Sequence, residues 1–188
     1  MRGATDRAAN DSKLFTITAV TNGGTGARPI KDGLSATAYP SGVRGTPVEI
    51  NETVAPIIFH RKEFRPDSGG AGAHRGGLGQ ILEIESAIGA DFELLAAYDR
   101  IDFPARGRNG GGNGEAGSLS FTSGEKLFGK GTQTIPNGKI ARFHTPGGAG
   151  FGDPKDRNSD QLARDVENGL ITPEAAARDY GYVTGGDD

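Results

Sequence analysis

The sequence "RPDSGGAGAHRGGLGQ", residues 65–80, places six glycines within sixteen positions, together with two arginines, one histidine and an Asp-Ser pair. Glycine lacks a Cβ, so this density predicts tight turns and close approach between backbone segments. The same segment contains the residue types of a nucleophile loop and of a phosphate-binding loop. The flanking residues decide between a catalytic loop and a structural turn.

The DSGG sequence at residues 67–70 resembles the nucleophile segment of chymotrypsin-like serine proteases. Such a serine needs a general base and an orienting acid from elsewhere in the fold. His60 is the only histidine that precedes Ser68, at a separation of eight residues, and Pro66 stands where those proteases have glycine. Pro66 also breaks the Gly-x-Ser-x-Gly pattern of the α/β-hydrolase elbow. We therefore expect Ser68 to lie in a tight turn rather than to act as a protease nucleophile.

Two other glycine patterns match nucleotide-binding motifs only in part. Residues 124–132 contain the Gly-x4-Gly-Lys of a phosphate loop, but Gly131 replaces the magnesium-binding Ser or Thr and the following residues predict a strand. A phosphate loop requires a helix N-terminus at this point. Residues 112–117 fit the dinucleotide pattern but also precede a predicted strand. The three histidines show no metal-ligand spacing, so no metal site is predicted on this chain.

The composition excludes several classes of function. The 188 residues carry a formal charge of -3, which gives no basic field for nucleic acid or an anionic membrane. Cysteine is absent, which excludes disulfides, thiolate metal sites and cysteine nucleophiles. No window approaches the roughly 18 apolar residues of a membrane-spanning helix, and the N-terminus lacks a signal-peptide core. We therefore expect a cytoplasmic protein that binds neither nucleic acid nor membrane.

The sequence pattern divides the chain into three parts. Residues 1–12 are polar and are expected to be flexible, residues 13–153 form a β-rich region, and residues 154–188 form a helical hairpin with a tail. Strands are predicted within residues 13–20, 79–103, 117–124, 125–135 and 138–148, and residues 56–59 form an apolar core segment.

Three turns are predicted within the β-rich region. Asp32–Gly33 is a typical turn sequence. Residues 79–103 predict two strands around Gly89–Ala90, which we interpret as a hairpin. Asn137–Gly138 is typical of a two-residue hairpin turn.

Two short helices are predicted at the C-terminal end. Asn158 or Ser159 caps the first helix and Gly169 follows its end. Pro173 stands at the first position of the second helix, and Gly181 ends it. The predicted fold class is therefore α+β, with a glycine-rich body of antiparallel strands and a C-terminal helical hairpin.

Taken in chain order, five segments resemble the C-terminal part of the hydantoinase B/oxoprolinase family. This family includes the β-type subunits or regions of ATP-dependent N-methylhydantoinase and 5-oxoprolinase, and is related to acetone and acetophenone carboxylase subunits. Two small departures are Ala149 within a glycine run and Ala73–His74 before Arg75. The segments are NGGTGARPIKDGLSA, TPVEINETVAP, DSGGAGAHRGGLGQ, HTPGGAGFGDPKDR and VENGLITPEAAARDYGYV.

The resemblance implies an ATP-dependent hydrolase that acts on hydantoin, 5-oxoproline or a related lactam or imide. ATP and a divalent metal would serve the whole complex and neither is expected on this chain. The partner would be the hydantoinase A-type subunit, which binds ATP, so a hetero-oligomer is expected. The resemblance covers only about the last third of the family chains, so we expect a truncated product or excised domain that is inactive alone. The alternatives are a non-catalytic assembly module and a fragment of an acetone or acetophenone carboxylase-type subunit.

Within this chemistry, Arg75 is the residue best suited to stabilise the negative charge that develops during attack on the amide. Glycines on both sides of it allow backbone and ligand to approach closely. Glu49 or Glu52 would orient it, and the predicted catalytic residues are Arg75, Asp67 and Glu52. The alternative is that the whole segment is scaffold. The predicted substrate-binding residues are Arg28, Ser68, Gly69 and Gly70.

Overall fold

The computed structural model describes residues 1–4, 14–37 and 45–182. Within these ranges the chain forms eight strands, three α-helices and one 3-10 turn. The strands are β1 (Arg2–Ala4), β2 (Leu14–Thr16), β3 (Ile57–Phe64), β4 (Gln80–Ser86), β5 (Phe92–Ala97), β6 (Ser118–Phe121), β7 (Lys130–Ile135) and β8 (Ala141–His144). The helices are α1 (Val48–Val54), α2 (Ser159–Glu167) and α3 (Pro173–Tyr180), and the 3-10 turn is Pro154–Asp156.

The strands form two antiparallel sheets that share one apolar core. One sheet has the strand order β2-β1-β5-β7 and the other has the order β3-β4-β8-β6. Alternate side chains of β5 point into the core, as expected for a strand with one buried face: Phe92, Leu94 and Ala96 are buried. Tyr98 stacks on Phe143 of the other sheet, with ring centroids 5.8 Å apart. The predicted antiparallel β-rich body is confirmed.

Both predicted hairpins are wrong, although their strands exist. β4 pairs with β3 and β8, whereas β5 pairs with β1 and β7, so the chain changes sheet at Gly89. Asn137–Gly138 likewise lies between β7 in one sheet and β8 in the other. In a two-sheet sandwich consecutive strands can bury their apolar faces from the same sheet or from opposite sheets, and here each turn carries the chain from one sheet to the other.

The N-terminal part of the β-rich region also differs from the prediction. Of residues 13–20, Leu14–Thr16 form β2, and residue 13 lies outside the described residues. Arg2–Ala4, within the segment expected to be flexible, pair with β2 as β1, whereas residues 5–12 are not described. The turn expected at Asp32–Gly33 lies instead between Arg28 and Lys31, which form a bridge.

Helix α1 was not predicted from the sequence, in which carboxylates and aliphatic residues alternate over this segment. The local signals are Pro47 directly before the helix and Glu49 in its first turn. A proline at the start and an acid near the N-terminal end both favour helix initiation. The short length of the helix and its exposed Ile50 and Val54 hid the helical pattern.

A bundle of glycine-rich segments outside the strands lies beside the sheets. We call residues 22–27, 68–78, 107–114 and 146–151 the glycine bundle. Its segments are joined by backbone hydrogen bonds, such as Gly77 N–H to the Thr25 carbonyl (2.9 Å) and Gly148 N–H to the Gly77 carbonyl (2.8 Å). A Cβ added at Gly148 would lie 1.8 Å from the Thr25 oxygen. Side chains therefore do not fit between these segments, as at the axis of a collagen triple helix.

The C-terminal helical pair forms as predicted. The Asn158 side chain accepts a hydrogen bond from Gln161 N–H and caps α2. Thr172 caps α3 in the same way through Ala175 N–H, and Gly181 ends α3 in the left-handed conformation with φ of 66°. Within the described part of the chain, no helix is both long and apolar enough to cross a membrane.

Candidate functional site

Ser68 lies at the start of the glycine-rich segment and is fully buried. Its hydroxyl donates a hydrogen bond to the Arg65 carbonyl (2.6 Å) and accepts one from Gly79 N–H (2.9 Å). Both bonds close the loop onto itself. The Ser68 hydroxyl therefore holds the turn and does not face a ligand.

Arg75 is buried with its guanidinium against the helical pair. Its Nε donates to Asp165 Oδ2 (3.1 Å) and its Nη1 donates to the Gly76 carbonyl (2.8 Å). The backbone N–H of Arg75 donates to Asp32 Oδ1 (2.8 Å). These contacts join Arg75, a predicted catalytic residue, to α2 on one side and to the loop at Asp32 on the other.

Arg157 completes a cluster of four charged residues, Asp32, Arg75, Arg157 and Asp165, which we call the charge cluster. Its Nη1 and Nη2 donate to the two carboxylate oxygens of Asp32 (3.0 and 2.8 Å), and Nη2 also donates to Asp165 Oδ2 (2.6 Å). Only 1% of the Arg157 side chain is exposed. The cluster links the loop at Asp32, the glycine bundle and α2.

The charge cluster favours the ionised forms of Asp32 and Arg157 despite their burial. Burial alone would raise the pKa of Asp32, but the hydrogen bonds and charges of Arg157 and Arg75 outweigh burial, so this pKa lies below its ordinary value. Burial alone would lower the pKa of Arg157, but Asp32 and Asp165 raise it above its ordinary value. Asp32 and Arg157 therefore form an ion pair rather than a pair of neutral hydrogen-bonding groups.

Asp67 connects the glycine bundle to the second C-terminal helix. Its carboxylate accepts hydrogen bonds from Thr172 N–H (2.8 Å) and from the Thr172 hydroxyl (2.9 Å). Its backbone N–H donates to the Leu170 carbonyl (3.2 Å), and its φ is 59°. A non-glycine residue with positive φ is strained, and such strain persists where the surroundings fix it. The described contacts of Asp67 are thus with the residues that begin α3.

The other predicted site residues lie apart from this pair. Glu52 lies on α1, where its carboxylate accepts a hydrogen bond from Phe59 N–H (2.8 Å) and fixes α1 to β3. Arg28 is exposed and donates to the Asp32 carbonyl (3.3 Å). Gly69 and Gly70 lie inside the glycine bundle, where an added Cβ would be about 2 Å from a carbonyl oxygen. The structure therefore brings Arg75 and Asp67 to the helical pair and leaves Glu52 on α1.

Arg157, Asp165 and Asp32 were not identified from the sequence. One signal for Asp165 was present: it follows Leu162 by three positions, so an acid falls on the buried face of α2. An acid on the apolar face of a helix requires a buried partner. Nothing local in the sequence identifies Arg157 and Arg75 as these partners, because they lie eight and ninety residues away.

A cleft of about 890 Å³ surrounds residues 17–24 and separates the two sheets at one end. Its inner walls are apolar, and its volume lies in the range of about 300–1,000 Å³ that is typical of small-molecule sites. The Thr21 hydroxyl donates to the Tyr98 hydroxyl (3.3 Å), and burial raises the pKa of Tyr98, which keeps the phenol neutral. Arg100, also on the lining, has a φ of 57°. The inner walls include Phe59, Ile84, Leu94 and Phe143.

The described residues contain no group of three or more histidine, aspartate or glutamate side chains placed to hold a metal ion. His60 instead contacts Glu85, and His74 lies 3.8 Å from Asp32. His144 Nδ1 lies 3.4 Å from the Ser118 hydroxyl, and burial together with Arg65 and Arg142 lowers the pKa of His144. The three histidines thus stand at separate places.

Residues 1–154 match the family model described as "Hydantoinase B/oxoprolinase". The chain is 38% identical over 135 residues to 5-oxoprolinase 1 of Arabidopsis thaliana, a match that covers 69% of this chain and 10% of that protein. It is 31% identical over 175 residues to the B-type subunit of a putative D-/L-hydantoinase from a Pseudomonas species, covering 87% of this chain and 28% of that protein. The chain therefore spans less than a third of the length of either relative.

Two solved structures resemble the whole chain. The ATP-dependent caprolactamase of Pseudomonas jessenii matches with a TM-score of 0.74 and 26% identity, covering all of this chain and 34% of that one. Acetone carboxylase in its nucleotide-free form matches with a TM-score of 0.64 and 19% identity, over 97% of this chain and 29% of that one. The second likeness concerns the fold alone. The five sequence segments, the two-sheet body and the match over residues 1–154 together show that the chain belongs to the hydantoinase B/oxoprolinase family.

Proposed function

We propose that this chain serves in the B-type subunit of an ATP-dependent hydrolase of cyclic amides, acting on hydantoin, 5-oxoproline or a related lactam. The observation that carries the proposal is the likeness of the whole chain to the ATP-dependent caprolactamase, together with relatives named as a 5-oxoprolinase and a hydantoinase subunit. Because the chain spans only about a third or less of the length of those relatives, we expect it to contribute to the enzyme and to be inactive alone.

The chemistry requires activation of a poor electrophile. Transfer of the γ-phosphoryl group from ATP to the amide oxygen would release ADP and make the ring carbon a better electrophile. Water would then add to this carbon, the ring C–N bond would break with the protonated nitrogen as the leaving group, and a second water would release phosphate from the resulting acyl phosphate. The loop at residues 124–132 leads into β7 rather than a helix, and no three metal-ligating side chains meet among the described residues. Among the described residues, the 124–132 loop does not fit a phosphate site and no cluster fits a metal ion, so we propose that both ATP and the metal belong to the rest of a complex with an A-type, ATP-binding subunit.

The catalytic roles of Arg75, Asp67 and Glu52 and the substrate-binding roles of Arg28 and the 68–70 segment stay predictions. The geometry favours a positioning role for two of them, because Arg75 and Asp67 hold the helical pair. A cytoplasmic location is part of the same proposal.

We propose the cleft around residues 17–24 as the place where a small neutral ring binds. Its inner walls are apolar and its Thr21 and Tyr98 hydroxyls are neutral, which suits a lactam. The charged lining residues carry both signs and so give no net preference for an anion: Arg2, Glu93, Asp99 and Arg100. Titration of caprolactam or hydantoin into the ¹⁵N-labelled chain should shift the amide resonances of Thr21 and Tyr98. Tyr98→Phe should weaken these shifts. Unchanged cleft resonances at saturating ligand would contradict this role for the cleft.

The function itself is tested by mixing the purified chain with an A-type subunit. Co-elution in size-exclusion chromatography and lactam-dependent ATP hydrolysis above that of the A-type subunit alone would support the hydrolase. The exposed variant Glu167→Gln serves as the matched control and should behave as wild type. Co-elution without ATP hydrolysis would favour the assembly module, and absence of co-elution would contradict both interpretations.

The second candidate is a carboxylase-type subunit, which the fold of acetone carboxylase favours. No residue of this chain separates hydrolysis from carboxylation. The same mixture, supplied with acetone and bicarbonate in place of a lactam, distinguishes them: ATP hydrolysis that depends on acetone would replace the lactam proposal by the carboxylase one.

A further inference from the structure

The C-terminal helical pair has an apolar cluster of its own. This cluster shares no residue with the cluster between the two sheets. Both helices are also capped from within the pair, by Asn158 and Thr172. Local contacts therefore hold the two helices to each other. The buried members of the cluster are Leu162, Ile171, Ala175 and Ala176.

Polar and charged groups fasten this pair to the glycine bundle. Asp165 of α2 pairs with Arg75, and Arg157, just before α2, pairs with Asp32. Thr172, the cap of α3, donates to Asp67. Each helix thus has its own anchor: α2 on Arg75, within the bundle segment 68–78, and α3 on Asp67, directly before that segment.

Burial of these anchors carries a cost that a fully apolar contact would not have. Taking ions out of water is unfavourable, and their mutual attraction offsets this only when all donors and acceptors are matched. Arg157 Nε is buried and finds no hydrogen-bond partner among the described residues. When the pair leaves as a whole, the charges return to water together, whereas removal of one partner leaves the other buried and unpaired. Collective opening is therefore favoured over loss of single contacts.

The chain enters the pair at Gly152, which has a φ of 78° and precedes the 3-10 turn. A glycine tolerates a change of backbone direction that other residues resist. We propose that residues 153–182 form a C-terminal clip, locked by the charge cluster and by Asp67, that opens from the glycine bundle as one unit while both sheets stay folded. Opening releases Arg75 and Asp67 from their partners, so these side chains can meet a ligand only in the open state.

Native-state hydrogen exchange of the full chain tests the clip. We expect the amides of α2 and α3 to share one free energy of opening. Relative to intrinsic rates, they should exchange at least about tenfold faster than the slowest amides of β4 and β5. Asp165→Asn should accelerate exchange in both helices by about a further tenfold and leave β4 and β5 unchanged. Equal exchange rates in helices and sheets, or unrelated rates in the two helices, would overturn the proposal.

Two further variants keep the test decisive if Asp165→Asn does not fold. Asp67→Asn retains one acceptor and suits the positive φ, so it should accelerate exchange in both helices by a smaller factor. A response confined to α3 would show that the helices open separately. Glu167→Gln, exposed on α2, should leave exchange unchanged, and acceleration equal to that of Asp165→Asn would remove the case for the charge lock.

Discussion

At the scale of single residues, the glycines of the bundle differ sharply in what they tolerate. Gly148→Ala would place a methyl group 1.8 Å from a backbone oxygen of Thr25, which cannot rotate away. We expect the free energy of unfolding to fall by about 3 kcal/mol, or the chain not to fold. Gly26→Ala is the control. A Cβ added at Gly26 would lie 3.9 Å from the nearest non-neighbouring atom, the Ala149 carbonyl oxygen, and the φ of Gly26 is not in the left-handed region. Urea denaturation of both variants measures the difference; equal losses would contradict the packing described.

Arg75→Ala separates the catalytic prediction from a positioning role. The catalytic prediction requires turnover in the assembled enzyme to drop by more than about tenfold in a protein that stays fully stable. In the structure Asp165 would lose Arg75 but keep Arg157, so we expect the free energy of unfolding to fall by about 1.5–3 kcal/mol. Arg178→Ala, on an exposed pair with Asp179, should cost no more than about 1 kcal/mol. Denaturation and turnover measured on the same preparations decide between the two roles.

The glycine-rich segment and its Arg75 also show how much of a site can be predicted from a sequence. The glycine-rich segment predicts close backbone packing from its composition alone, and Pro66 excludes a protease nucleophile. Asp165, the partner of Arg75, lies ninety residues away in the sequence, and no local sequence pattern links the two residues. A buried ion pair depends on tertiary structure, so the sequence could suggest an important arginine but not its partner.

At the scale of elements, the helical pair was predictable because its signals are local. Capping side chains, Pro173 and Gly181 act on their own turns, and the helices begin and end where these residues place them. Strand pairing has no such local code. β4 and β5 follow each other with a short turn between them, yet they lie in opposite sheets, because a buried face can be satisfied from either sheet of a sandwich.

The attachment of the helical pair should weaken in acid. The pKa of Asp32 is lowered from its ordinary value of 3.8, so its stabilising effect is complete above 3.8 and is lost as the pH falls through the lower folded-state value. The groups that face Asp32 are Arg157, Arg75 and His74. Hydrogen exchange of α2 and α3, relative to intrinsic rates, should therefore accelerate as the pH falls through the folded-state pKa of Asp32. In Asp32→Asn, the amides of α2 and α3 should exchange faster at neutral pH and should no longer respond to acid in this way. If the variant keeps the acid transition, the transition belongs to another titrating group.

At the scale of the whole molecule, the strand order makes folding depend on distant contacts. β1 pairs with β5, where Arg2 lies opposite Glu93, and the glycine bundle joins four segments that are far apart in the chain. Chains dominated by such contacts fold on the timescale of milliseconds to seconds, because loop closure precedes any stabilising contact. We expect stopped-flow refolding to be at least about a hundredfold slower than for helical bundles of similar length. A refolding phase in the microsecond range would contradict this topology.

The glycine bundle has a further consequence for the temperature dependence of stability. Its segments bury peptide groups against peptide groups, and exposure of polar surface lowers the heat capacity by about 0.26 cal/K/mol per Å², whereas apolar surface raises it by about 0.45. Unfolding should therefore show a heat-capacity increment below the usual 12–15 cal/mol/K per residue, roughly in proportion to the share of the chain in the bundle. Scanning calorimetry would record a flatter stability curve, with cold and heat denaturation lying further apart than in a body of the same size built on side-chain packing.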